Sequence, residues 1–242
     1  SYIGKDAFYN CTSLTDIVLP ENLIAISSNA FRNTGLVTVQ IPKGVKALGV
    51  TGATASSTYT TNAYVFADCL NLTEVEFLGD ALTDIPKYLF YNTPSLKTVK
   101  LSKATTKIGQ YAFQKSGIQE IDLSNFTTID KYVFKDAVNL SNVKLGSQIT
   151  SISANLFNGC QSLTSISIPA SVNEINNYAF ANTGLVTFDA PNVTKYYDNA
   201  FQNCKQLSNV TLSDNTVELG KYVFSGCDSL ETLELPDSIT KI

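Results

Sequence analysis

The chain has 242 residues, 44% hydrophobic and 16% charged, which is enough apolar material for a sizeable core and too little charge for a disordered chain. With 17 Lys and Arg against 21 Asp and Glu, its net charge is −4, and it lacks the basic footprint that nucleic-acid or anionic-membrane binding requires. It has no histidine, which removes every Ser-His-Asp triad, Cys-His dyad, histidine metal site and imidazole acid–base mechanism.

Five cysteines, an odd number in a chain of this length, do not make a disulfide framework. No run of about 18 apolar residues exists, so no membrane span is expected. Ser1-Tyr2-Ile3 opens directly into patterned sequence, with no signal-peptide pattern. No cofactor is expected.

The pattern is a repeat. A small residue, Val or Leu followed by Phe recurs at Phe8, Phe31, Phe66, Phe90, Phe113, Phe134, Phe157, Phe180, Phe201 and Phe224. Eight of the nine spacings lie between 21 and 24 residues; the step from Phe31 to Phe66 is 35. Between the phenylalanines, apolar residues keep the same offsets. Leu14, Ile17, Leu19, Leu23 and Ile26 open the series; Leu140, Val143, Leu145, Ile149 and Ile152 repeat it, and Leu230, Leu233, Leu235, Ile239 and Ile242 close it.

Within one copy, Leu-x-x-Ile-x-Leu alternates apolar and polar residues at its end and predicts a short strand. Pro20, Pro42, Pro169, Pro191 and Pro236 stop that strand, because proline has no amide donor. A second short extended piece follows. The Ala-Phe-x-Asn-Cys run then predicts a helical or 3-10 turn, with Phe and the Cys three residues later on one side. Short copies lose a residue where Asn182-Thr183-Gly184 replaces Asn-Cys-x-Ser. No single copy can bury its apolar set; stacking copies closes a continuous core. The expected fold is a repeat solenoid over 1–242, ten coils of about 23 residues with parallel strands on one face, short helical or 3-10 turns on the other, and ladders of Phe, Leu and Ile inside.

The long step holds an insertion at 49–61 that is small, polar and uncharged, and is read as a loop. It is either a tolerated surface insertion or a ligand contact, with Thr51, Thr54, Ser56, Ser57 and Tyr59 as candidates. Tyr64, Tyr88, Tyr111, Tyr132, Tyr178 and Tyr222 stand two residues before a ladder Phe, about 200° around a helical turn from it and facing water. The consecutive members Tyr88, Tyr111 and Tyr132 suit contact with a protein or a glycan ring; the plain alternative is self-stacking that seals the turns.

Glu74 with Glu76, and Glu120 with Asp122, share strand faces as a glycosidase pair would. Yet Glu76, Lys100, Asp122 and Lys144 follow one another in one column with alternating sign, the way parallel strands stack exposed charge. These four are candidate binding residues on an otherwise Ser, Thr, Asn and Gln face, or simply its solvated surface. Cys11, Cys69, Cys160, Cys204 and Cys227 all lie three residues after a ladder Phe, which points to buried structural thiols. Only Cys204 and Cys227 fall in adjacent copies.

The motif Leu-x-x-Ile-x-Leu-Pro-x-Ser-Val-x-x-Ile-Gly-x-x-Ala-Phe-x-x-Cys resembles the BspA-type (Treponema pallidum-type) leucine-rich repeat across the whole chain. In ordinary leucine-rich repeats an Asn after the strand bonds neighbouring coils; here Asn22, Gly44, Ser171, Asn192 or Ser238 stands there, so that asparagine ladder is broken. The resemblance implies a right-handed superhelix in a surface-exposed or secreted protein that is not an enzyme. It implies adhesion to host extracellular matrix proteins or cells. A carbohydrate-binding or carbohydrate-active solenoid and a structural spacer are the rival readings. Both chain ends fall inside a repeat without a polar cap, so a fragment of a longer array is expected.

Overall fold

The structure, a computed structural model, describes residues 1–50 and 62–242. It is a β-solenoid of about nine turns with parallel strands at a spacing of about 23 residues. The ten phenylalanines are the bounds of those nine intervals. By internal contact the chain divides into two compact units, Ser1–Ile118 and Gln119–Ile242.

Each coil offers two strand sites. In the first unit the Leu-x-x-Ile-x-Leu segments give the strands Thr38–Ile41, Glu74–Phe77 and Thr98–Lys100, with Val39, Val75 and Val99 in register. Val39 and Ile41 point inward at 2% and 1% exposure, whereas Thr38 and Gln40 face water. A second parallel sheet joins Tyr2–Ile3, Ala25–Ser27 and Ala47–Val50, and Asp84–Ile85 pairs with Lys107–Ile108. In the second unit Glu120–Leu123 pairs with Asn142–Leu145, and Thr187–Asp189 with Asn209–Thr211. Its second sheet runs Ser151–Ile152, Glu174–Ile175, Lys195–Tyr196, Glu218–Leu219.

Among the described residues, the segments 14–19, 163–168 and 230–235 form no strand, although the sequence pattern predicts one in each. All three run into proline (Pro20, Pro169, Pro236), which withholds one amide from the ladder. Pro42 and Pro191 follow strands that do form.

The third side of each coil is not helical, which corrects the expected helical or 3-10 turn. The residues two before and two after each ladder Phe have positive φ, for example Tyr88 at 61° and Asn92 at 54° around Phe90. The N–H groups then alternate in destination. Asp6, Phe8 and Asn10 donate to the carbonyls of Ser28, Ala30 and Arg32 in the next coil at 3.1, 2.8 and 3.0 Å. Ala7, Tyr9 and Cys11 donate three residues back within their own coil, to Gly4, Asp6 and Phe8. A helix would direct every amide along its own axis and leave adjacent coils unlinked on this side. Successive tight turns satisfy the backbone and bind the coils at once.

Inside, the phenylalanines stack. Ring centroids of Phe8, Phe31, Phe66, Phe90 and Phe113 follow one another at 5.1, 5.5, 5.9 and 5.2 Å. In the second unit Phe134, Phe157, Phe180, Phe201 and Phe224 do so at 5.8, 5.5, 5.4 and 5.5 Å. These steps are close to one strand spacing of about 4.8 Å, as a common ladder requires.

The described residues on the two sides of the insertion meet inside the third coil. Val50 and Ala63 are both fully buried, and a Cβ built on Gly49 (φ 71°) would lie 2.1 Å from Ala63 Cβ. Asn29 N–H donates to Ala63 O at 2.9 Å, and Ala63 N–H to Lys87 O at 3.2 Å, so Ala63 is tied to the coils on both sides of its own. The candidates Thr51, Thr54, Ser56, Ser57 and Tyr59 lie outside the described residues.

Candidate functional site

Two surfaces carry the sequence candidates. On the sheet face, Lys100 Nζ lies 3.1 Å from Glu74 Oε1 and 3.5 Å from Glu76 Oε1, while Gln40 Nε2 donates to Glu76 Oε2 at 3.1 Å. The hydrogen bond to Glu74, with the charge of both carboxylates, raises the Lys100 ammonium above its ordinary value. In the second unit Lys144 Nζ sits 3.2 Å from Asp122. Asp122 also accepts from the Ser124 hydroxyl and from its N–H, and Ser124 chiefly, then Lys144, hold that carboxyl below its ordinary value. A catalytic acid needs a carboxyl pushed up towards neutrality. Asp122 is pushed the other way and the Glu74–Glu76 pair is bound by a lysine, so these carboxylates act as inter-coil ties.

Each unit has an open concavity beside its strands. One, of about 530 Å³, is lined by Asp16, Val18, Gln40, Lys43 and Leu78 among others. The other, of about 470 Å³, is polar, with Ser208, Asn209, Thr211, Asp214, Thr232 and Glu234. Among the described residues no three His, Cys, Asp or Glu side chains gather as metal ligands do.

On the turn face, the positive φ two residues before Phe swings the tyrosine outward. Tyr64 and Tyr88 stack at 4.4 Å and Tyr88 and Tyr111 at 4.7 Å, with Tyr91 edge-on to Tyr88 at 5.7 Å. Arg32 caps this row, its guanidinium carbon 4.6 Å from the Tyr64 centroid, and Asp68 holds it through Nε at 2.9 Å. Burial, then the neighbouring tyrosines, push the Tyr88 phenol up to about 12. Tyr132 belongs to the second unit, with Lys131 Nζ 5.9 Å from its ring centroid.

Sequence reasoning missed a polar ladder two residues after Phe, at the second positive-φ site. Asn33 Nδ2 donates to Asn10 Oδ1 at 2.9 Å, Asn92 to Asp68 at 2.8 Å and Asn203 to Asn182 at 3.3 Å. The recurrence of Asn and Asp at that offset was the available signal, since both residues tolerate the left-handed region. The position after the strand, read as a broken ladder, still ties coils. Ser171 Oγ donates to Ile149 O at 2.7 Å, and Asn192 Nδ2 to Ala170 O at 2.7 Å.

The expected structural thiols are free, and Cys69, Cys160, Cys204 and Cys227 are buried while Cys11 is exposed. Burial pushes the Cys69 and Cys160 thiols up, which keeps them protonated and poor nucleophiles. No helix among the described residues is long and apolar enough to cross a membrane.

The geometry agrees with the comparisons. A solved leucine-rich repeat protein of Bacteroides ovatus is 25% identical with a TM-score of 0.65, over 98% of this chain and 70% of that one. The Treponema pallidum leucine-rich repeat protein (19% identical, TM-score 0.52, 86% of this chain and 78% of that) shares the fold. So does the pneumococcal vaccine antigen PcpA, 16% identical with a TM-score of 0.53, over 90% of this chain and 65% of that. No curated protein matches the chain. The family model for the BspA type leucine rich repeat region matches in six copies, over residues 1–51, 59–187 and 127–242, and the chain belongs to that family.

Proposed function

We propose that the chain is a non-enzymatic protein-binding module, carried on a cell surface or secreted, that holds matrix proteins or cells of a host. The observation that carries this reading is the outward tyrosine row of the turn face, rigid aromatic area of the kind protein interfaces concentrate their energy in. Tyr88 and Tyr111 are the contact candidates there, and Tyr132 is the candidate in the second unit. Membership of a repeat family supports it, because stacked coils supply a long surface without a chemical centre. Glu76, Lys100, Asp122 and Lys144 are the sheet-face candidates.

A glycan ligand is the second reading. It is favoured by the polar concavity around Asn209 and Thr232, where hydroxyls and amides face a sugar-sized space.

The test is a binding panel: fibronectin, fibrinogen, whole host cells and a glycan array against the 242-residue chain and a variant without residues 51–61. Capture of a matrix protein or cells is expected. Capture of glycans alone moves the assignment to the second reading, and an empty panel leaves a spacer. Hydrolysis of a polysaccharide, lost on Glu76→Gln or Asp122→Asn, overturns the non-enzymatic reading.

A further inference from the structure

Two residues before the ladder Phe, every coil places a residue at positive φ. Four coils use Asp6, Asn29, Asn155 and Asn199, whose short polar side chains adopt this region readily. The other six use Tyr64, Tyr88, Tyr111, Tyr132, Tyr178 and Tyr222. A bulky ring is an outlier at positive φ, so tyrosine there must do something that asparagine does not. Mutual stacking is a sufficient reason for Tyr64, Tyr88 and Tyr111, but not for all six. Tyr178 stands between coils that place Asn155 and Asn199 at this offset, and Tyr222 follows Asn199. Neither makes a ring contact among the described residues, and they are 37% and 67% exposed. What the six share is an outward phenol held by a fixed backbone.

A lysine stands directly before three of the six tyrosines, and Asp198 takes the same offset in the coil between Tyr178 and Tyr222, where it accepts the Lys221 N–H at 2.8 Å. Lys87, Lys131 and Lys221 immediately precede Tyr88, Tyr132 and Tyr222, and none of the three is ion-paired among the described residues. The carboxylate nearest the first-unit row, Asp68, is already held by Arg32 and Asn92. Both faces of the Tyr88 ring are covered, by Tyr64 and Tyr111, which leaves no face for a sugar ring to stack on. The first-unit row offers ring edges, phenol hydroxyls and the Lys87 ammonium.

We propose that this turn face docks an acidic segment of a partner protein, with the row Arg32, Tyr64, Lys87, Tyr88, Tyr91 and Tyr111 as its first-unit site. Partner carboxylates accept hydrogen bonds from the phenols and pair with Lys87. The proposal rests on the protein-binding reading above and narrows its partner.

The test uses the whole chain at low salt against two surfaces of equal carboxylate density, poly-L-glutamate and hyaluronan. Poly-L-glutamate capture is expected, weakened about fivefold or more both by Lys87→Gln and by the double variant Tyr88→Phe/Tyr111→Phe. The Phe variant keeps the rings and removes only the hydroxyls; an unchanged melting temperature verifies the stack. Lys46→Gln, on a different side of the coil, is expected to change capture less than about twofold. Absence of poly-L-glutamate capture, an equal loss from Lys46→Gln, no loss from the Phe variant, or hyaluronan held as tightly, each overturns the proposal. If a matrix protein from the panel binds unchanged by the row variants, the row fails and the binding module stands. An empty panel beside row-dependent poly-L-glutamate capture sinks the matrix reading alone.

Discussion

Cys69 Sγ donates to the backbone carbonyl of Phe31, 3.0 Å away in the preceding coil. Cys160, Cys204 and Cys227 repeat the bond to Phe134, Phe180 and Phe201 at 3.1, 3.0 and 3.2 Å. Where threonine takes the position, Thr34, Thr93 and Thr183 instead bond the carbonyl of their own coil's Phe at 3.0, 2.8 and 2.8 Å. Both side chains supply a small apolar body and a short donor to a carbonyl sealed from water. That dual demand, rather than redox chemistry, explains why cysteine recurs. Cys160→Ala removes the donor and leaves a small void, and is expected to destabilise the chain by about 1–2 kcal/mol in urea unfolding. Cys160→Thr is expected to lose less, because threonine already works at this position. Alkylation of the native protein should label Cys11 and spare the other four; labelling of Cys160 at native pH would contradict the burial argument.

Tyr196 is the opposite case, a buried donor with nothing to bond. It fills the second-sheet column at 1% exposure, wedged between Phe188 and Phe201, and its hydroxyl has no partner among the described residues. Burial pushes its phenol up, with Asp189 adding to the effect. Tyr196→Phe deletes only the unsatisfied group. It is expected to stabilise by about 1 kcal/mol, which in a chain of this size is a melting temperature higher by about 2–4 °C. A lower melting temperature would mean that the hydroxyl is bonded after all.

The period of the phenylalanines and the alternation of Val39 and Ile41 with Thr38 and Gln40 were enough to give the stacked coils, the parallel strands and the inward ladder. The turns were misread because Phe and a Cys three residues on fit a helix as well as they fit two consecutive tight turns. Periodicity alone cannot separate these. The Asn and Asp residues flanking Phe at Asn29 and Asn33, or Asp6 and Asn10, could have, since they favour positive φ. The missing strand at 163–168 was illegible for a different reason: its apolar pattern is intact, and its proline has counterparts in Pro42 and Pro191, which follow strands that form. At the candidate site the tyrosine column was legible as a column. Its stacking partners were not, because Arg32 and Tyr91 lie at an offset that carries no pattern of its own.

The short copies depend on glycine for a reason of space. In Asn182-Thr183-Gly184 the chain cuts the corner that the preceding, longer coil turns with an extra residue, and a Cβ on Gly184 would lie 2.2 Å from Gln161 O. Gly35 meets Thr12 O at the same 2.2 Å. Backbone cannot yield there without breaking inter-coil bonds, so Gly184→Ala is expected to cost about 2–3 kcal/mol. Gly4→Ala, with nothing within 4 Å of the new Cβ, should stay within about 0.5 kcal/mol. Equal effects at the two positions in thermal unfolding would refute the spatial explanation.

The pH profile of stability follows from which groups are shifted and which way. Asp122 and Glu218 are held below their ordinary values, by Ser124 and Lys144 and by Lys241. A depressed carboxyl contributes stability above its unfolded value, about 4, and loses it as pH falls through the folded one. Both sites are solvent-exposed, so the acid limb from them is shallow. Cys69 and Cys160 are shifted up by burial, and Tyr88 up to about 12. For a raised group the contribution is complete below the unfolded value, about 8.5 for a thiol and 10 for a phenol, and disappears as pH rises, because only the unfolded chain ionises there. With no histidine to titrate between, the melting temperature is expected to be flat from about pH 5 to 8, to fall from about pH 8.5, and to fall more steeply beyond 10. Cys160→Ala should flatten the first part of the alkaline limb while lowering the plateau. A step inside the plateau, or an alkaline limb untouched by that substitution, would place the titrating group somewhere other than the buried thiol ladder.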